Sequence, residues 1–372
     1  MIQQICLYQF LRQIDHFYNF LWSSIYETVV PLHLISDFGF GQDFWVKSFL
    51  SGRIQCVNVE GVTSEWKDVI SGIPQGSVLG PLLFVIFIND LPYEAKYNVC
   101  KLFADDCKIY GSVNTTSQNK LQLDLNNLER WSNQWQLPFN ATKCKVMHFG
   151  YKNPKQVYHL NGHALEKTDH EKDLGVIIDS NLKFHTHTAA ASKKANQILG
   201  IIKKSYTTRD NLTIPLLYKA MVRPHLEYGN TIWGPYYQSD IKMVESIQRR
   251  ATKLVSGLND KSYEERLKEL KLPSLVYRRR RGDLIQMFKI MNGLVRMNVS
   301  TLFSPSDSNT RGHSKRVFKK HAVKFPRSNF FSQRIVNDWN SLPTDIVNAP
   351  TINTFKNRLD KFWENIQYHA AE

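Results

Sequence analysis

The sequence contains few cysteines and no long apolar run. Its five cysteines are widely spaced, form no C-x-x-C pair and are odd in number, so neither a zinc knuckle nor a disulfide framework is indicated. The longest uninterrupted apolar stretch, Leu82 to Ile88, is far too short to span a bilayer. We therefore expect a soluble protein of a reducing intracellular compartment, nucleus or cytoplasm, without a membrane partner.

Acidic side chains are scarce in the second half of the chain. Residues 201–372 carry 30 Lys and Arg but only 15 Asp and Glu, an excess equal to the net charge of +15 of the whole chain. Residues 1–100 are net acidic, with 5 basic and 9 acidic side chains. The 372 residues, 42% hydrophobic and 12% aromatic, are not those of a disordered polymer. The asymmetry predicts that the C-terminal half contacts a polyanion, with nucleic acid the first candidate.

Hydrophobic periodicity predicts an N-terminal part with strands and a C-terminal part built of helices. Before residue 188 it indicates a hairpin (53–59 and 66–70, with a Glu60-Gly61 turn), a Gly- and Pro-rich loop (71–77), a buried helix (82–89), two short strands around Asp105-Asp106, an amphipathic helix (118–136) and strands at 144–149 and 174–178. Beyond it, helices are expected near 189–205, 211–222, 239–256, 263–271 and 275–292. Stop and start signals are Pro224, Gly257, a Ser262-x-x-Glu265 capping box and Gly293.

Asp105 and Asp106 are the first candidates for chemistry. A hairpin turn projects short carboxylates outward, where hard divalent cations can share them. Adjacent aspartates in turns also serve simply as turn formers and solvated charge. The pair alone does not separate these alternatives.

Several segments, in order, resemble the reverse transcriptase of LINE-type (non-long-terminal-repeat, jockey-like) retrotransposons. They are SGIPQGSVLGPLLFVIFINDLP (71–92), similar to motif B; FADD (103–106), motif C; LPFNATKCKVMHF (137–149), motif D; HEKDLGVIIDSNLKF (170–184), the segment with motif E; and RRRRGDLIQMFKIMNG (278–293), RGHS (311–314) and FFSQRIVNDWNSLP (330–343), similar to the tail of these elements. The resemblance covers about residues 45–365.

The resemblance implies an α/β (α+β) fold, a right-hand polymerase with fingers largely missing. Its parts would be a palm with an antiparallel sheet at 45–187, a helical thumb at 188–300 and a basic helical C-terminal region at 301–372. The implied activity is RNA-directed DNA synthesis, with an RNA template, a DNA primer and deoxynucleoside triphosphates as partners. Two Mg²⁺ ions, or Mn²⁺, about 3.5–4 Å apart would stabilise the attacking and leaving oxygens.

The resemblance also assigns roles to individual residues. Asp105 matches the metal ligand of motif C with Asp106 as its supporting partner, and Lys143 matches the motif D lysine, a general acid for the pyrophosphate or otherwise a surface lysine. The nucleotide- and template-binding candidates are Pro74, Gln75, Gly76, Ser77 and Phe103, of which Phe103 is alternatively core. Leu174 and Gly175 match the primer grip, or else begin a strand.

Basic and aromatic residues of the C-terminal half supply further candidates. Basic helix faces are usually only solvated, but in this strongly basic region we expect phosphate contacts from Arg249, Arg250, Lys253, Arg278, Arg279, Arg280 and Arg281. Trp233, Trp339 and Trp363 either stack on bases or, as tryptophans more often do, pack in a core.

The resemblance fails at motif A, which supplies the other indispensable aspartate. The closest stretch is residues 21–31, where Leu21 occupies the metal-binding position and Glu27 matches an acidic residue that is not normally a ligand. We interpret residues 1–44 as a degenerate remnant of the fingers and motif A. The chain is then either a polymerase that acts only when the missing part is supplied, or a non-catalytic nucleic-acid-binding remnant. An unrelated basic scaffold would require the motif matches to be accidental.

Overall fold

The computed structural model describes residues 4–10, 46–70, 72–74, 76–112, 120–306 and 312–369. These residues form two compact units that divide between Thr168 and Asp169. Most of the segment 1–44, including Leu21 and Glu27, lies outside the described residues, as does Gln75. The functional boundary that we predict at residue 187 lies inside the second unit, so the hairpin matching motif E belongs to the compact unit that also holds the helices.

Unit 1, which ends at Thr168, combines strands with helices in its described residues. Its elements are β1 (Gln4–Phe10), β2 (Ile54–Gln55), β3 (Asn58–Val59), β4 (Val62–Thr63), β5 (Lys67–Asp68), α1 (Gly80–Ile88), β6 (Val99–Phe103), β7 (Asp106–Ser112), α2 (Lys120–Gln134), β8 (Lys145–His148), β9 (His159–Leu160), β10 (His163–Ala164) and β11 (Glu166–Thr168). Five of the strands form one sheet in the order β11-β8-β1-β7-β6.

The prediction of an antiparallel sheet is wrong for most of this sheet. Only β6 and β7 pair antiparallel, whereas β1 runs parallel to both β7 and β8, and β8 runs parallel to β11. Parallel strands need a connection that returns the chain to the starting end of the sheet. The α2 helix supplies that return between β7 and β8, and β1 lies between these two strands. The sheet is mixed because β6 runs antiparallel to β7, whereas β7, β1, β8 and β11 run parallel to one another.

The predicted amphipathic helix is confirmed as α2. Its Leu121, Leu125, Leu128 and Trp131 are buried, as the helical spacing predicts. They join strand residues such as Ile109 and Val146 in the hydrophobic core of unit 1.

The remaining predictions for unit 1 are only partly confirmed. The hairpin at 53–70 forms as two short ladders, β2 with β5 and β3 with β4, around a Glu60-Gly61 turn in which both residues have positive φ. The predicted buried helix forms as α1, but only Gly80 and Ile88 in it are buried among the described residues.

Unit 2, from Asp169, is mainly helical. Its elements are β12 (His170–Asp173), β13 (Val176–Asp179), α3 (His185–Ser205), α4 (Thr213–Leu217), a π-helical turn (Tyr218–Val222), α5 (Arg223–Glu227), α6 (Asn230–Trp233), α7 (Gln238–Thr252), α8 (Tyr263–Glu269), α9 (Leu275–Met291), α10 (Val299–Leu302), β14 (Ser304–Pro305), β15 (Val317–Phe318), α11 (Phe325–Ser328), α12 (Phe331–Asn340), α13 (Thr344–Val347) and α14 (Ile352–Phe362). None of the helices in the described residues is long and apolar enough to cross a membrane.

Local capping signals place most of these helices correctly. The Ser262 side chain accepts from the Glu265 backbone N–H, and the Glu265 carboxylate accepts from the Ser262 backbone N–H, so the predicted capping box is present. Pro224 does not stop the second helix as predicted. It lies in the first turn of α5, directly after the π-helical turn, where its missing N–H costs little.

Candidate active site and nucleic-acid surface

Asp105 lies in the tight turn of the β6–β7 hairpin. Phe103 pairs with Asp106 in the ladder, so the turn consists of Ala104 and Asp105, one residue earlier than predicted. Ala104 has a φ of 48°, which non-glycine residues seldom adopt, and the turn is correspondingly sharp. Asp105 and Asp106 are both partly exposed, and the Phe103 side chain is 40% exposed rather than core. The turn therefore presents carboxylate oxygens beside an exposed aromatic ring.

A buried carboxylate that the sequence analysis missed fixes the base of this hairpin. Asp124 of α2 is 0% exposed and accepts hydrogen bonds from the backbone N–H groups of Lys96, Tyr97 and Asn98 and from the Asn98 side chain. These donors belong to the loop that enters β6. The signal in the sequence is an aspartate among the leucines on the apolar face of α2.

Lys143 lies at the same end of the sheet as the two aspartates. Strands β7 and β8 are parallel neighbours of β1, in which Cys6 pairs with both Lys108 and Lys145. Lys143 lies two residues before Lys145, and Asp106 lies two residues before Lys108, so both come just before the same row of the sheet. Lys143 is exposed at the end of a short 3₁₀ turn, Ala141–Lys143.

The donor set at the acidic turn suits Mg²⁺ but is small. Carboxylate oxygens are the ligands that hard divalent cations prefer, and Asp105 and Asp106 provide them at a partly exposed turn. Among the described residues no third His, Cys, Asp or Glu completes a group that could hold a metal ion. Further anionic oxygens, from protein or substrate, are needed for two ions.

The Gly- and Pro-rich loop before α1 is held by its own side chains. The Ser77 hydroxyl donates to the Pro74 carbonyl oxygen at 2.8 Å and accepts from the Gly80 N–H at 2.9 Å. Gly76 has a φ of 80°, and no atom lies within 4 Å of where its Cβ would stand. The loop therefore keeps an open surface at Gly76, while the two hydrogen bonds of Ser77 stabilise its conformation.

Two residues that the sequence analysis did not single out also shape this loop. Arg53 donates from Nη2 to the Gly72 carbonyl oxygen at 2.6 Å and thereby ties the loop to the neighbouring hairpin. A Cβ on Gly80 would lie 2.9 Å from the Pro74 carbonyl oxygen, so only glycine fits there. The glycine-rich composition was the signal for Gly80.

Leu174 and Gly175 are the two turn residues of the β12–β13 hairpin rather than the start of a strand. Asp173 pairs with Val176, and the turn residues have φ values of 45° and 86°, as in a type I′ turn. The Tyr228 hydroxyl donates to the Leu174 carbonyl oxygen at 2.8 Å. We call this feature the primer-grip turn, after the motif that it matches.

His187 of α3 is hydrogen-bonded to the same hairpin. Its Nδ1 accepts from the Ile177 backbone N–H at 3.1 Å, and its ring packs edge-on against Trp233 with centroids 4.7 Å apart. Burial lowers the pKa of His187 to about 4, so the ring is neutral near pH 7 and Nδ1 is free to accept.

Gly175→Ala should destabilise unit 2 by about 1–2 kcal/mol, the cost of placing a Cβ in the left-handed region. The new Cβ would also lie 2.9 Å from Cε1 of Tyr228. Chemical denaturation followed by circular dichroism measures the change. Gly257→Ala is the matched control, because Gly257 has a similar φ of 78° with nothing within 4 Å. Equal losses in the two variants would show that the Tyr228 contact adds nothing.

The solvent side of α7 carries Arg249 and Arg250, and Lys253 directly follows the helix. All three are exposed, whereas Ile247 and Ala251 on the opposite side are buried. The Arg249 guanidinium lies over the Tyr263 ring, 4.6 Å from its centroid. These side chains keep their charges facing solvent.

The four arginines of α9 are arranged differently from the prediction. Arg278 makes a two-pronged ion pair with Glu227, Arg280 with Asp338 and Arg281 with Asp360. Arg279 is buried, and burial lowers its pKa. A guanidinium bound on two N–H groups by a carboxylate is largely neutralised, and a buried one cannot reach a phosphate. The expectation of phosphate contact is thus wrong for Arg279, and Arg278, Arg280 and Arg281 serve internal ion pairs.

The three tryptophans considered for base stacking are buried. Trp233 and Trp339 are completely enclosed, and Trp363 is nearly so. Their indole faces are packed against protein, which supports the core alternative.

Comparison with known proteins finds one family. The family model described as reverse transcriptase (RNA-dependent DNA polymerase) matches residues 31–202, which contain the glycine-rich loop, the acidic turn, Lys143 and the primer-grip turn. Leu21 precedes the match, and the basic residues of α7 and α9 follow it. No solved structure shows a significant match to this chain.

Curated relatives are enzymes of mobile elements. The chain is 31% identical over 226 residues to the probable RNA-directed DNA polymerase from transposon X-element of Drosophila melanogaster, an alignment covering 57% of this chain and 24% of the relative. It is 26% identical over 258 residues to the RNA-directed DNA polymerase from mobile element jockey of the same organism, covering 65% and 27%. It is 29% identical over 226 residues to the probable RNA-directed DNA polymerase from transposon BS of Drosophila melanogaster, covering 57% of this chain and 25% of the relative. The chain spans about a quarter of the length of these relatives.

Proposed function

We propose that unit 1 is the palm of an RNA-directed DNA polymerase, since the chain matches the reverse transcriptase family model over residues 31–202 and is similar to the enzymes of jockey-like mobile elements. The observation that carries the proposal is the β6–β7 hairpin, which presents Asp105 and Asp106 at a sharp turn on the edge of the sheet. The helices of unit 2 would be the thumb, and its basic C-terminal region would contact template and primer.

Each group in the proposed site has a defined task. Asp105, with Asp106 in support, would hold Mg²⁺ (or Mn²⁺), which when bound neutralises charge on the phosphates of an incoming deoxynucleoside triphosphate. Lys143 would protonate the departing pyrophosphate, since it lies at the end of the sheet where Asp106 begins β7.

Other residues would place the two nucleic-acid strands. The loop around Pro74, Gln75 and Gly76 would lie against the nascent base pair, since its open surface at Gly76 admits close approach. Phe103 is exposed next to the acidic turn and would limit the space beside the sugar. The primer-grip turn, Leu174–Gly175, would hold the primer end.

Arg249, Arg250 and Lys253 are the phosphate contacts that we retain. They are exposed on one side of α7, in a region that carries the whole net charge of the chain. Lys and Arg that neutralise phosphates release counterions, so binding through them weakens with salt.

The direct test is template-dependent DNA synthesis. The chain is joined to a fingers segment with a motif A aspartate and incubated with poly(rA)–oligo(dT), labelled dTTP and Mg²⁺ or Mn²⁺. We expect incorporation that requires both template and metal. Absence of incorporation, with intact binding of the primer–template, would instead favour a non-catalytic nucleic-acid-binding remnant.

A further inference from the structure

Four aromatic rings from three separate parts of unit 2 meet at its surface. His185 begins α3, Tyr236 and Tyr237 precede α7, and Phe325 begins α11. The centroids of neighbouring rings are 4.6 Å apart for His185 and Tyr237, 4.7 Å for the two tyrosines, and 5.3 and 5.4 Å for Phe325 with Tyr236 and Tyr237. We call these four side chains the aromatic cluster.

The cluster is not part of the core. Phe325 is 52% exposed, the His185 side chain is 47% exposed, and both tyrosines are half-buried. Hydrogen bonds nevertheless hold two of the rings: the Tyr236 hydroxyl donates to the Leu182 carbonyl oxygen at 3.0 Å, and Nδ1 of His185 lies 2.6 Å from Oδ2 of Asp240. Rings fixed in this way lose little freedom when a ligand binds.

The exposed charged residues next to the cluster in the sequence are basic. The segment 312–328, which ends in α11, contains six basic residues and no Asp or Glu. Lys324 directly precedes Phe325, Lys183 lies two positions before His185, and both lysines are exposed. The acidic residues that act on the cluster, Asp240 beside His185 and Asp179 near Tyr236, are both buried. A ligand that combines flat rings with repeated negative charge is complementary to this surface.

We infer that the aromatic cluster is a stacking site for bases of single-stranded nucleic acid, with Lys183 and Lys324 beside its phosphates. Unpaired bases expose their faces, and each base stacked on an aromatic side chain contributes substantially to affinity regardless of sequence. Bases in a duplex are already stacked on one another, so a duplex would gain only the phosphate contacts. The choice of ligand rests on the proposed function, in which a single-stranded template or displaced strand is present.

The test measures binding of fluorescently labelled single-stranded 15-mers of RNA and DNA to the full chain by anisotropy. Phe325→Ala should weaken single-strand binding roughly 5- to 150-fold, the range for the loss of one stacked base. Phe325→Trp should retain affinity, and Phe325→Leu, which keeps apolar area without a π-system, should behave like the alanine variant. Because Phe325 is exposed, none of these changes leaves a cavity, and equal thermal unfolding midpoints verify the fold.

The salt dependence separates stacking from charge. Phe325→Ala should leave the slope of log affinity against log salt unchanged, while Lys324→Ala should reduce it by about 0.7, the value for one phosphate of a single strand. Wild-type affinity in both Phe325→Ala and Phe325→Leu would overturn the inference, as would equal losses for single strand and duplex. The same variants are also tested for binding to vesicles of anionic phospholipid. If Phe325→Ala loses vesicle binding but keeps wild-type affinity for single strands, the inference is overturned and the surface belongs to a membrane contact instead. Asp105→Asn should not change this binding, so failure of the proposed catalysis and failure of this inference are distinguishable.

Discussion

Asp105→Asn should reduce template-dependent DNA synthesis about a thousandfold or more, in the chain supplied with fingers and a motif A aspartate. Asparagine has the shape of aspartate and keeps the turn, but it lacks the negative charge that holds a divalent cation. Charge stabilisation by such ions is worth several kcal/mol in the transition state, and each 1.4 kcal/mol changes the rate about tenfold. The measurement is the initial rate of labelled dTTP incorporation on poly(rA)–oligo(dT).

Asp106→Asn is the matched control for this experiment. It removes the neighbouring carboxylate, the first residue of β7, and should have a smaller effect because Asp106 is proposed as a supporting ligand. Binding of primer–template should be the same in both variants within about threefold. A drop in binding that parallels the drop in rate would mean that Asp105 acts on substrate affinity rather than on metal.

The chain without the added segment should not extend a primer. Leu21 cannot bind a metal, and Asp105 and Asp106 alone leave two divalent cations and a triphosphate short of the anionic oxygens that they require. Synthesis by this chain that disappears in Asp105→Asn would show that the second essential carboxylate lies elsewhere than at the position of Leu21.

Arg334→Ala should lower the free energy of unfolding of unit 2 by about 3–5 kcal/mol, since it leaves a buried carboxylate without its partner. Arg334 in α12 donates from Nε and Nη2 to the two oxygens of Asp283 in α9, at 2.8 and 3.0 Å. It also donates to the carbonyl oxygens of Thr231 and Asn329, so one guanidinium connects three helical segments. Side-chain exposure is 20% for Arg334 and 7% for Asp283.

Lys261→Ala provides the control for Arg334→Ala. Lys261 forms an ion pair with Glu269, but both side chains are exposed, so water replaces the lost contact and the expected change is about 0–1 kcal/mol. Urea denaturation of the two variants and the wild type gives the comparison. Equal changes would show that burial of the Arg334–Asp283 pair has no energetic consequence.

The same variant should depend on pH in a defined direction. Burial raises the pKa of Asp283, and Arg334 opposes that rise, so removing Arg334 raises it further. A carboxyl whose pKa is higher in the folded than in the unfolded state binds more protons when folded, so stability falls as pH rises between the two pKa values. We expect the deficit of Arg334→Ala relative to wild type to be smaller at pH 5 than at pH 7. A deficit that grows on acidification would contradict this assignment.

Features that depend on near neighbours in the chain were predictable. The acidic hairpin, the Ser262–Glu265 capping box and the buried face of α2 follow from helical or strand periodicity and from turn residues. Each is determined within a few residues, because backbone hydrogen bonds and capping act over one turn. The errors there are single-residue shifts, such as the turn at Ala104–Asp105.

Features that depend on distant segments were not predictable from the sequence. Strands β6, β7 and β8 were expected, but β1 and β11 were not, nor was the position of β1 between β7 and β8 and parallel to both. Asp124 could be placed on α2, but its partners in the loop before β6 could not. Strand order and partner choice are settled by which arrangement buries the most apolar surface, and that is a property of the whole unit.

The arginines of α9 show the same division most clearly. The sequence by itself determined the basic charge of residues 201–372, the family motifs and the turn that carries Asp105. Only the tertiary structure decided that Arg278, Arg280 and Arg281 face carboxylates 51, 58 and 79 residues away, while Phe325 comes to lie against Tyr236 and Tyr237. The physical reason is that charge belongs to a residue, whereas its availability depends on which groups folding brings within hydrogen-bond distance.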